Sequence, residues 1–399
     1  MISYLTNFIA SKSILNGLSQ LNVGNFQMMD DKNNVIISVV NDKTAPVPKV
    51  IVYNQKNFFI SVFLKNDCGL GESYVRGEWV CDDLKCLLTN LALNLGNKAM
   101  PKMFSILINS VKSISKDYDK ECIKTSYDEG NDFYFHFLKD DLTAYTCGFY
   151  SKANGSLNDA QYKKVNTIIQ KLDAKPGMSI LDIGCGWGKI ANYVAQETKC
   201  KVKGVTISDE QAKYVTSTFD PERVEVEIVD YRNVNEKFDC IYSIGMIEHV
   251  RYENYDAFFK MIKRNLKPGG RCVLHTIVSF DIKQETTSLE DSFAYSHIFP
   301  GSQVPQHDWI IKYVRDNHLN VIHYEGFGGQ HYARTLKDWG EELRAEKENI
   351  TGKYPPELMK KYDYYFASCK AAFDTGHLGI VQYVIVPDPV LSLDNSFLY

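Results

Sequence analysis

One run limits the folds open to this chain: Leu181-Asp182-Ile183-Gly184-Cys185-Gly186-Trp187-Gly188. The apolar stretch from Met178 to Ile183 reads as a strand that ends in an acid and a glycine-rich turn, and an amphipathic stretch follows. Glycines in such a turn let backbone approach a ligand at a helix N-terminus, where unpaired N–H groups point outward. From Gly184 the spacing is G-x-G-x-G, not G-x-G-x-x-G, and no Gly-Lys-Ser/Thr follows. The turn therefore suits S-adenosylmethionine better than a dinucleotide pyrophosphate or a nucleoside triphosphate. Gly184, Gly186 and Trp187 are the first candidate cofactor contacts.

The alternation after Lys175 supports this reading. Apolar runs at 179–183, 202–207, 224–229 and 238–244 read as strands, and amphipathic stretches at 189–197, 208–219 and 255–266 as helices. Pro268-Gly269-Gly270 reads as a turn into a fifth strand over 271–278. A helical insertion is expected at about 285–318, and two further strands near 320–324 and 380–386. Repeated βαβ units imply a mostly parallel sheet with helices on both faces and a ligand at the carboxyl ends of its strands.

A chain of 399 residues is long for one core, so two domains are expected. Residues 1–115 read as a small α+β domain and linker, and 116–399 as the cofactor-binding domain. In the first, Ile2, Leu5, Phe8, Ile9, Leu15 and Leu18 form a broken helical stripe. Strands are expected at 34–40, 50–53 and 58–64, a turn at Gly69–Tyr74, a helix carrying Leu84, Leu87, Leu88 and Leu91, and a linking helix at about 101–120.

The net charge of −4 and pI near 6.2 exclude a strongly basic nucleic-acid binder. The pairs Lys163-Lys164 and Lys360-Lys361 read as solvated helix faces. The ten cysteines include no C-x-x-C pair, and Cys81 with Cys86 matches no common zinc spacing, so no metal is expected. Free thiols suit a reducing compartment. No apolar run reaches the roughly 20 residues that span a bilayer, and the first residues show neither a basic n-region nor an Ala-x-Ala cleavage site. A cytoplasmic protein is expected.

Several strand ends offer chemistry. The second closes on Thr206, with Gln211 one helical turn on; Gln211 is either a ribose-side contact or a surface residue. The third ends at Asp230, which can reach an adenine amino group or cap a turn. The fourth leads into Glu248-His249, where an acceptor would approach; a carboxylate there holds a cation, orients a base or takes a proton. His275 lies in an otherwise apolar strand, a core residue elsewhere but a site residue beside the end of the fourth strand.

Taken together the pattern resembles the cyclopropane fatty-acid synthases and their mycolic-acid relatives, which are S-adenosylmethionine-dependent lipid methyltransferases. The resemblance rests on Tyr127–Tyr134, Leu142–Tyr150, Leu181–Gly188, Gly204–Ser208, Gly245–Val250, Lys267–Gly270, Ile298–Gly301 and His331–Leu336, with Gly71–Tyr74 and Gly77–Trp79 in the small domain. It implies a seven-stranded Rossmann-like methyltransferase sheet. It also implies methylene transfer to the cis double bond of an unsaturated phospholipid acyl chain, with a bound bicarbonate ion as general base. The positions matching the family's anion site are Cys147, Glu248, His275 and Tyr332, with the Ile277 backbone. Those matching its cofactor contacts are Tyr127, Tyr145, Thr146, Gly184, Gly186, Thr206 and Gln211. A peripheral membrane location and a homodimer are further expectations. Phe293, His297 and Ile247 depart from the family pattern, as does the Glu- and Thr-rich stretch from Phe280 to Ser292; these departures are expected beside the acyl pocket. The rival readings are a small-amine N-methyltransferase and a non-catalytic scaffold.

Overall fold

The computed structural model describes residues 2–94, 131–280 and 292–387. The chain divides into two compact units: Met1–Ser115 with Lys283–Pro300 and Leu336–His377, and Lys116–Ile282 with Gly301–Thr335 and Leu378–Tyr399. A contiguous division into 1–115 and 116–399 differs from this in two segments, which cluster with the N-terminal residues. The helix Pro356–Asp374 explains the second. It buries Tyr362, Tyr364, Tyr365 and Phe366, and its packing partners are the helices Gln55–Val75 and Leu84–Ala92.

The first unit holds a four-stranded sheet of β1 (Asn25–Asp30), β2 (Val35–Val40), β3 (Lys49–Val52) and β4 (Trp79–Cys81), in the order β2-β1-β3-β4. The strand expected at 58–64 is instead part of the helix Gln55–Val75. Asn54 caps that helix by accepting the Asn57 amide at 3.2 Å. Phe58 and its neighbour Phe59 are both buried, which one face of a strand does not allow, while Leu64 is 56% exposed. The turn expected at Gly69–Tyr74 is also helical. The chain kinks earlier, at Asn66, with φ 48° and ψ −124°. Gly69 serves a close approach: a Cβ there would stand 1.9 Å from the Ser61 carbonyl oxygen.

The second unit is built on β5 (Ser179–Ile183), β6 (Lys201–Thr206), β7 (Val224–Ile228), β8 (Phe238–Ile244), β9 (Leu266–Ser279), β10 (Asn320–Gly326) and β11 (Leu378–Val386). Their order is β10-β11-β9-β8-β5-β6-β7. Pairing is parallel from β7 through β9, and β11 runs antiparallel to both β9 and β10. The Pro268-Gly269-Gly270 run is not a turn before β9 but lies within it, where the register against β8 shifts. Alternate residues feed two cores. Ile180, Val202, Cys240, Tyr242 and Val273 face one layer, and Leu181, Ile241, Cys272 and Leu274 the other. Such strands read as near-continuous apolar runs because both faces are covered. In the expected insertion, helices occupy Phe293–His297 and His307–Asp316. From β5 the chain moves outward through β6 and β7, then returns to β8 on the other side of β5. The crevice at this reversal, beyond the carboxyl ends of β5 and β8, is where ligands bind such sheets.

Candidate functional site

A cavity opens at that crevice, lined by Tyr145, Thr146, residues 182–190, Thr206, Gln211, Asp230 and residues 244–246 among others. The glycine turn carries β5 into it. Gly184, Gly186 and Gly188 hold φ of 81°, 54° and 72°, left-handed values that glycine adopts without strain. A Cβ at Gly184 would stand 2.7 Å from Met246 Cγ, whereas one at Gly186 would meet nothing within 4 Å. Gly186 therefore leaves room beside the backbone. Gly188 then starts the helix Lys189–Thr198. Trp187 is buried, its ring 5.9 Å from Tyr134 and 5.6 Å from Phe135.

Thr206 and Gln211 meet as a pair: the Thr206 hydroxyl donates to Gln211 Oε1 at 2.8 Å, and the Ser208 cap sets the helix that carries Gln211. Both are buried, so Gln211 is not a surface residue. Asp230 lines the cavity and also caps the turn after β7, accepting from the Arg232 amide at 2.9 Å and from its guanidinium at 2.8 and 2.6 Å. Tyr127 lies outside the described residues.

The residues of the expected anion site, Cys147, Glu248, His275, Ile277 and Tyr332, are not among those that line this pocket. Glu248 lies in the short helical turn Ile247–His249 and is buried. Its Oε1 accepts the Ile277 amide at 2.8 Å, so this amide orients the carboxylate. Its Oε2 is buried without a hydrogen-bond partner. Burial pushes the Glu248 carboxyl up to about 7, against the lowering effect of the Ile277 hydrogen bond. His249 lines the cavity, and burial takes its imidazole down to about 4.

His275 is held by three strands. It lies opposite Ile244 of β8 and Gln382 of β11, and its carbonyl accepts the Gly245 amide at 3.0 Å. Its Nδ1 lies 3.2 Å from Gln382 Nε2, while Gln382 Oε1 accepts from Lys171 Nζ at 2.6 Å. A lysine ammonium has only protons to give, so Gln382 must turn its oxygen to Lys171 and its N–H to His275. The network thereby assigns the imidazole proton to Nε2. Burial, then the positive charges of Lys164 and Lys171, hold His275 neutral, well below its ordinary range.

Cys147 and Tyr332 are both buried. The helix Gln330–Ala345 fixes the segment that carries Cys147. Thr335 Oγ1 accepts the Gly148 amide at 3.0 Å, and His331 Nδ1 accepts the Tyr150 amide at 3.1 Å. Burial pushes the Cys147 thiol up to about 12, so it stays protonated and acts as a weak donor, not a nucleophile.

Lys164 corrects the reading of Lys163-Lys164 as a solvated face. Lys163 is exposed, but Lys164 is wholly buried, its Nζ donating to Thr146 Oγ1 at 2.6 Å and Gln161 Oε1 at 2.7 Å. Burial lowers it to about 8, with Asp140 and Cys147 pulling the other way. One lysine of the pair turns inward because the helix Leu157–Leu172 is amphipathic and Lys164 falls on its buried stripe with Ala160, Gln161, Val165 and Ile168. That stripe was the available signal. Lys171 falls on the same stripe; Gln382 gave no signal, since its meeting with Lys171 depends on long-range strand pairing. Asp182, the acid that closes β5, also lines the cavity; it accepts from the Tyr242 hydroxyl at 2.8 Å, and burial raises it to about 7. Of the departures expected beside an acyl pocket, Phe293 instead packs on Tyr364 at 4.7 Å, and His297 lies 3.3 Å from Glu72. Ile247 is core. Residues 281–291 lie outside the described residues.

Residues 114–383 match the mycolic acid cyclopropane synthetase family. The cyclopropane-fatty-acyl-phospholipid synthase of Escherichia coli is 35% identical over 343 residues, covering 84% of this chain and 87% of its own length. Among solved structures, the cyclopropane synthase MmaA2 from Mycobacterium tuberculosis aligns with a TM-score of 0.63 at 29% identity, over 67% of this chain and 97% of that one. The mycolic acid cyclopropane synthase CmaA1, complexed with SAH and CTAB, aligns with a TM-score of 0.62 at 28% identity and the same coverage.

Proposed function

Because the chain belongs to the mycolic acid cyclopropane synthetase family, and so is an S-adenosylmethionine-dependent methyltransferase of the cyclopropane synthase type, we propose that it adds a methylene to the cis double bond of an unsaturated phospholipid acyl chain, with bicarbonate as base. The observation that carries the reading is Glu248 Oε2, a buried carboxylate oxygen without a partner, in the same unit as a neutral imidazole whose proton is assigned to Nε2. A hydrogen carbonate ion is both donor and acceptor, and above about pH 7, where Glu248 has released its proton, these two groups are one acceptor and one donor. Lys164 supplies positive charge to the neighbourhood of Cys147 and His275. Glu248, His275, Cys147 and Tyr332, with the Ile277 backbone, would hold the ion, which when bound offers a base for the proton lost on ring closure.

The residues of this chain do the rest. The glycine turn and Trp187, with Tyr145, Thr146, Thr206, Gln211 and Asp230, hold the sulfonium donor and present its methyl at close range, which a poorly nucleophilic alkene requires. Positive charge that develops on the acyl chain is stabilised by aromatic faces and by negative charge nearby.

The substrate lies in a bilayer, so the enzyme works as a peripheral cytoplasmic protein, with the N-terminal unit in lipid handling or dimer formation. Among the described residues no helix is long and apolar enough to cross a membrane, and no cysteine is disulfide-bonded. In the helix Ile2–Ser19, Phe8 and Ile9 are 53% and 46% exposed, apolar area available to a lipid surface.

The test is incubation of the full chain with S-adenosylmethionine and vesicles of a monounsaturated phospholipid, read by mass spectrometry. The expected product gains one CH₂ and loses its alkene. Bicarbonate returned to a depleted assay should restore turnover. A methylated amine with unchanged acyl chains would replace this reading with the small-amine one, and no turnover with intact cofactor binding would favour the scaffold.

A further inference from the structure

We propose that Cys68, Glu72 and His297 form a divalent-cation site, selective for zinc, with a fourth position open to water. The site lies wholly in the N-terminal unit and is independent of the lipid chemistry proposed above.

Cys68 and Glu72 are four residues apart in the helix Gln55–Val75, so their side chains stand one above the other on one face. His297 ends the short helix Phe293–His297. Asp67, next to Cys68, ties the two together. Its Oδ2 accepts the Phe293 amide at 2.9 Å, and its Oδ1 accepts the Tyr364 hydroxyl at 2.8 Å.

Three potential ligand atoms converge. Cys68 Sγ lies 3.6 Å from His297 Nε2 and 3.5 Å from Glu72 Oε1, and His297 Nε2 lies 3.3 Å from the same oxygen. Tetrahedral zinc, with Zn–S of about 2.3 Å and Zn–N or Zn–O of about 2.0 Å, sets neighbouring ligand atoms about 3.3–3.6 Å apart. All three edges of the triangle fit.

Hydrogen bonding accounts for the triangle less well. The thiol has one proton, a neutral imidazole Nε2 at most one, and an ionised carboxylate none. Those protons serve two edges at best, whereas a cation at the centre satisfies all three. The donor set of thiolate, imidazole and carboxylate suits zinc over calcium or magnesium.

Binding displaces the Cys68 thiol proton to solvent and requires the His297 ring to carry its proton on Nδ1. Lys65 donates to both Glu72 oxygens, at 2.9 and 2.8 Å, and Arg76 lies 3.5 Å from Oε2. Lys65 is 54% exposed at its side chain, so it can release Oε1 to the metal and keep Oε2. Thiolate and carboxylate neutralise the ion, and the two cations remain as outer partners of Glu72. Cys68 is buried while His297 is 35% exposed at its side chain, which leaves a water-accessible side for a fourth ligand. The ion would then clamp the segment that carries His297 onto the helix Gln55–Val75.

The full chain is dialysed against chelator, then against zinc chloride or cobalt chloride. One zinc per chain is expected, with a melting temperature several degrees above the apoprotein. Cobalt should give the visible bands of a tetrahedral site and a thiolate charge-transfer band. Cys68→Ser should lose the charge-transfer band, and His297→Gln the stoichiometric zinc and the thermal shift. A Cys81→Ser/Cys86→Ser double variant should keep all three. Near-ultraviolet circular dichroism of each variant, which reads the packed aromatic side chains of the N-terminal unit, reports that this unit is folded, and should one fail to fold, the wild-type cobalt spectrum and zinc stoichiometry decide. Less than half an equivalent of zinc retained from micromolar solution, a cobalt spectrum of octahedral type, or a charge-transfer band that depends on Cys81 or Cys86 would overturn the assignment.

Discussion

At the scale of single residues, the cavity and the polar network make separable predictions. Gly186 faces open cavity space, and its φ of 54° is one that L residues adopt at modest cost. Gly186→Ala should therefore lower S-adenosylmethionine affinity at least tenfold, while the strain costs only about 1–2 kcal/mol of stability. Calorimetric titration beside a thermal melt checks it, and wild-type affinity would remove the turn from the cofactor site. Glu248→Gln keeps the shape of the side chain and removes its charge. Turnover should fall by roughly 100-fold, the scale of a lost acid–base group, with little change in cofactor affinity. The same variant has a pH signature. Native Glu248 keeps its proton up to about pH 7, whereas the unfolded chain releases it near 4.5. Between those values the native state binds more protons, so this group makes stability fall as pH rises through the window. The glutamine variant lacks that contribution and should gain on wild type by roughly 1–3 kcal/mol from pH 4 to pH 8. Equal pH slopes for the two proteins would contradict the buried placement. Gln382 acts through His275. Gln382→Glu keeps an oxygen for Lys171 but has no N–H for His275 Nδ1, so the imidazole should move its proton to Nδ1. Turnover should drop at least tenfold with a small change in KM, and imidazole nitrogen chemical shifts should report the switched tautomer. An unchanged tautomer would end this account of the network.

At the scale of elements, periodicity located most of the sheet but misread what burial on both faces makes ambiguous. The strands around the glycine turn stand within a residue or two of their expected places because each is an apolar run closed by a polar end. The run at 58–64 has the same look and is helical, because Asn54 caps the helix that contains it. Its glycines mislead similarly. Gly69 and Gly71 suggest a turn, yet they let side chains and backbone pack closely against a helix: a Cβ on Gly71 would stand 2.3 Å from the Phe293 ring. Gly69→Ala should accordingly destabilise the N-terminal unit by several kcal/mol, since the added methyl meets the Ser61 carbonyl, a backbone atom that cannot rotate aside. Proteolysis of residues 1–94 at 37 °C would measure it, and wild-type resistance would contradict the close approach.

At the scale of the whole molecule, the N-terminal unit draws on three stretches of chain. Deleting residues 1–100 would remove Phe58, Trp79, Leu84, Leu87 and Leu88 from a core that the helix Pro356–Asp374 completes with Tyr362, Tyr364 and Phe366. The truncated protein should expose those aromatics, bind a hydrophobic dye and aggregate. Clean monodisperse behaviour would show that the N-terminal residues form a separable domain. Point substitutions at Phe8 and Ile9, with vesicle binding as the readout, therefore test lipid docking better than truncation does. The sequence by itself determined the mostly parallel sheet and the placing of the glycine turn at a strand's end, because these depend on local periodicity and on motifs whose residues are neighbours in the chain. Only the tertiary structure decided that Lys171 and Gln382 fix the His275 proton and that His297 meets Cys68 and Glu72. Those relations join positions up to 229 residues apart, and which side chains meet across such distances is set by strand pairing and by which helix face must be buried.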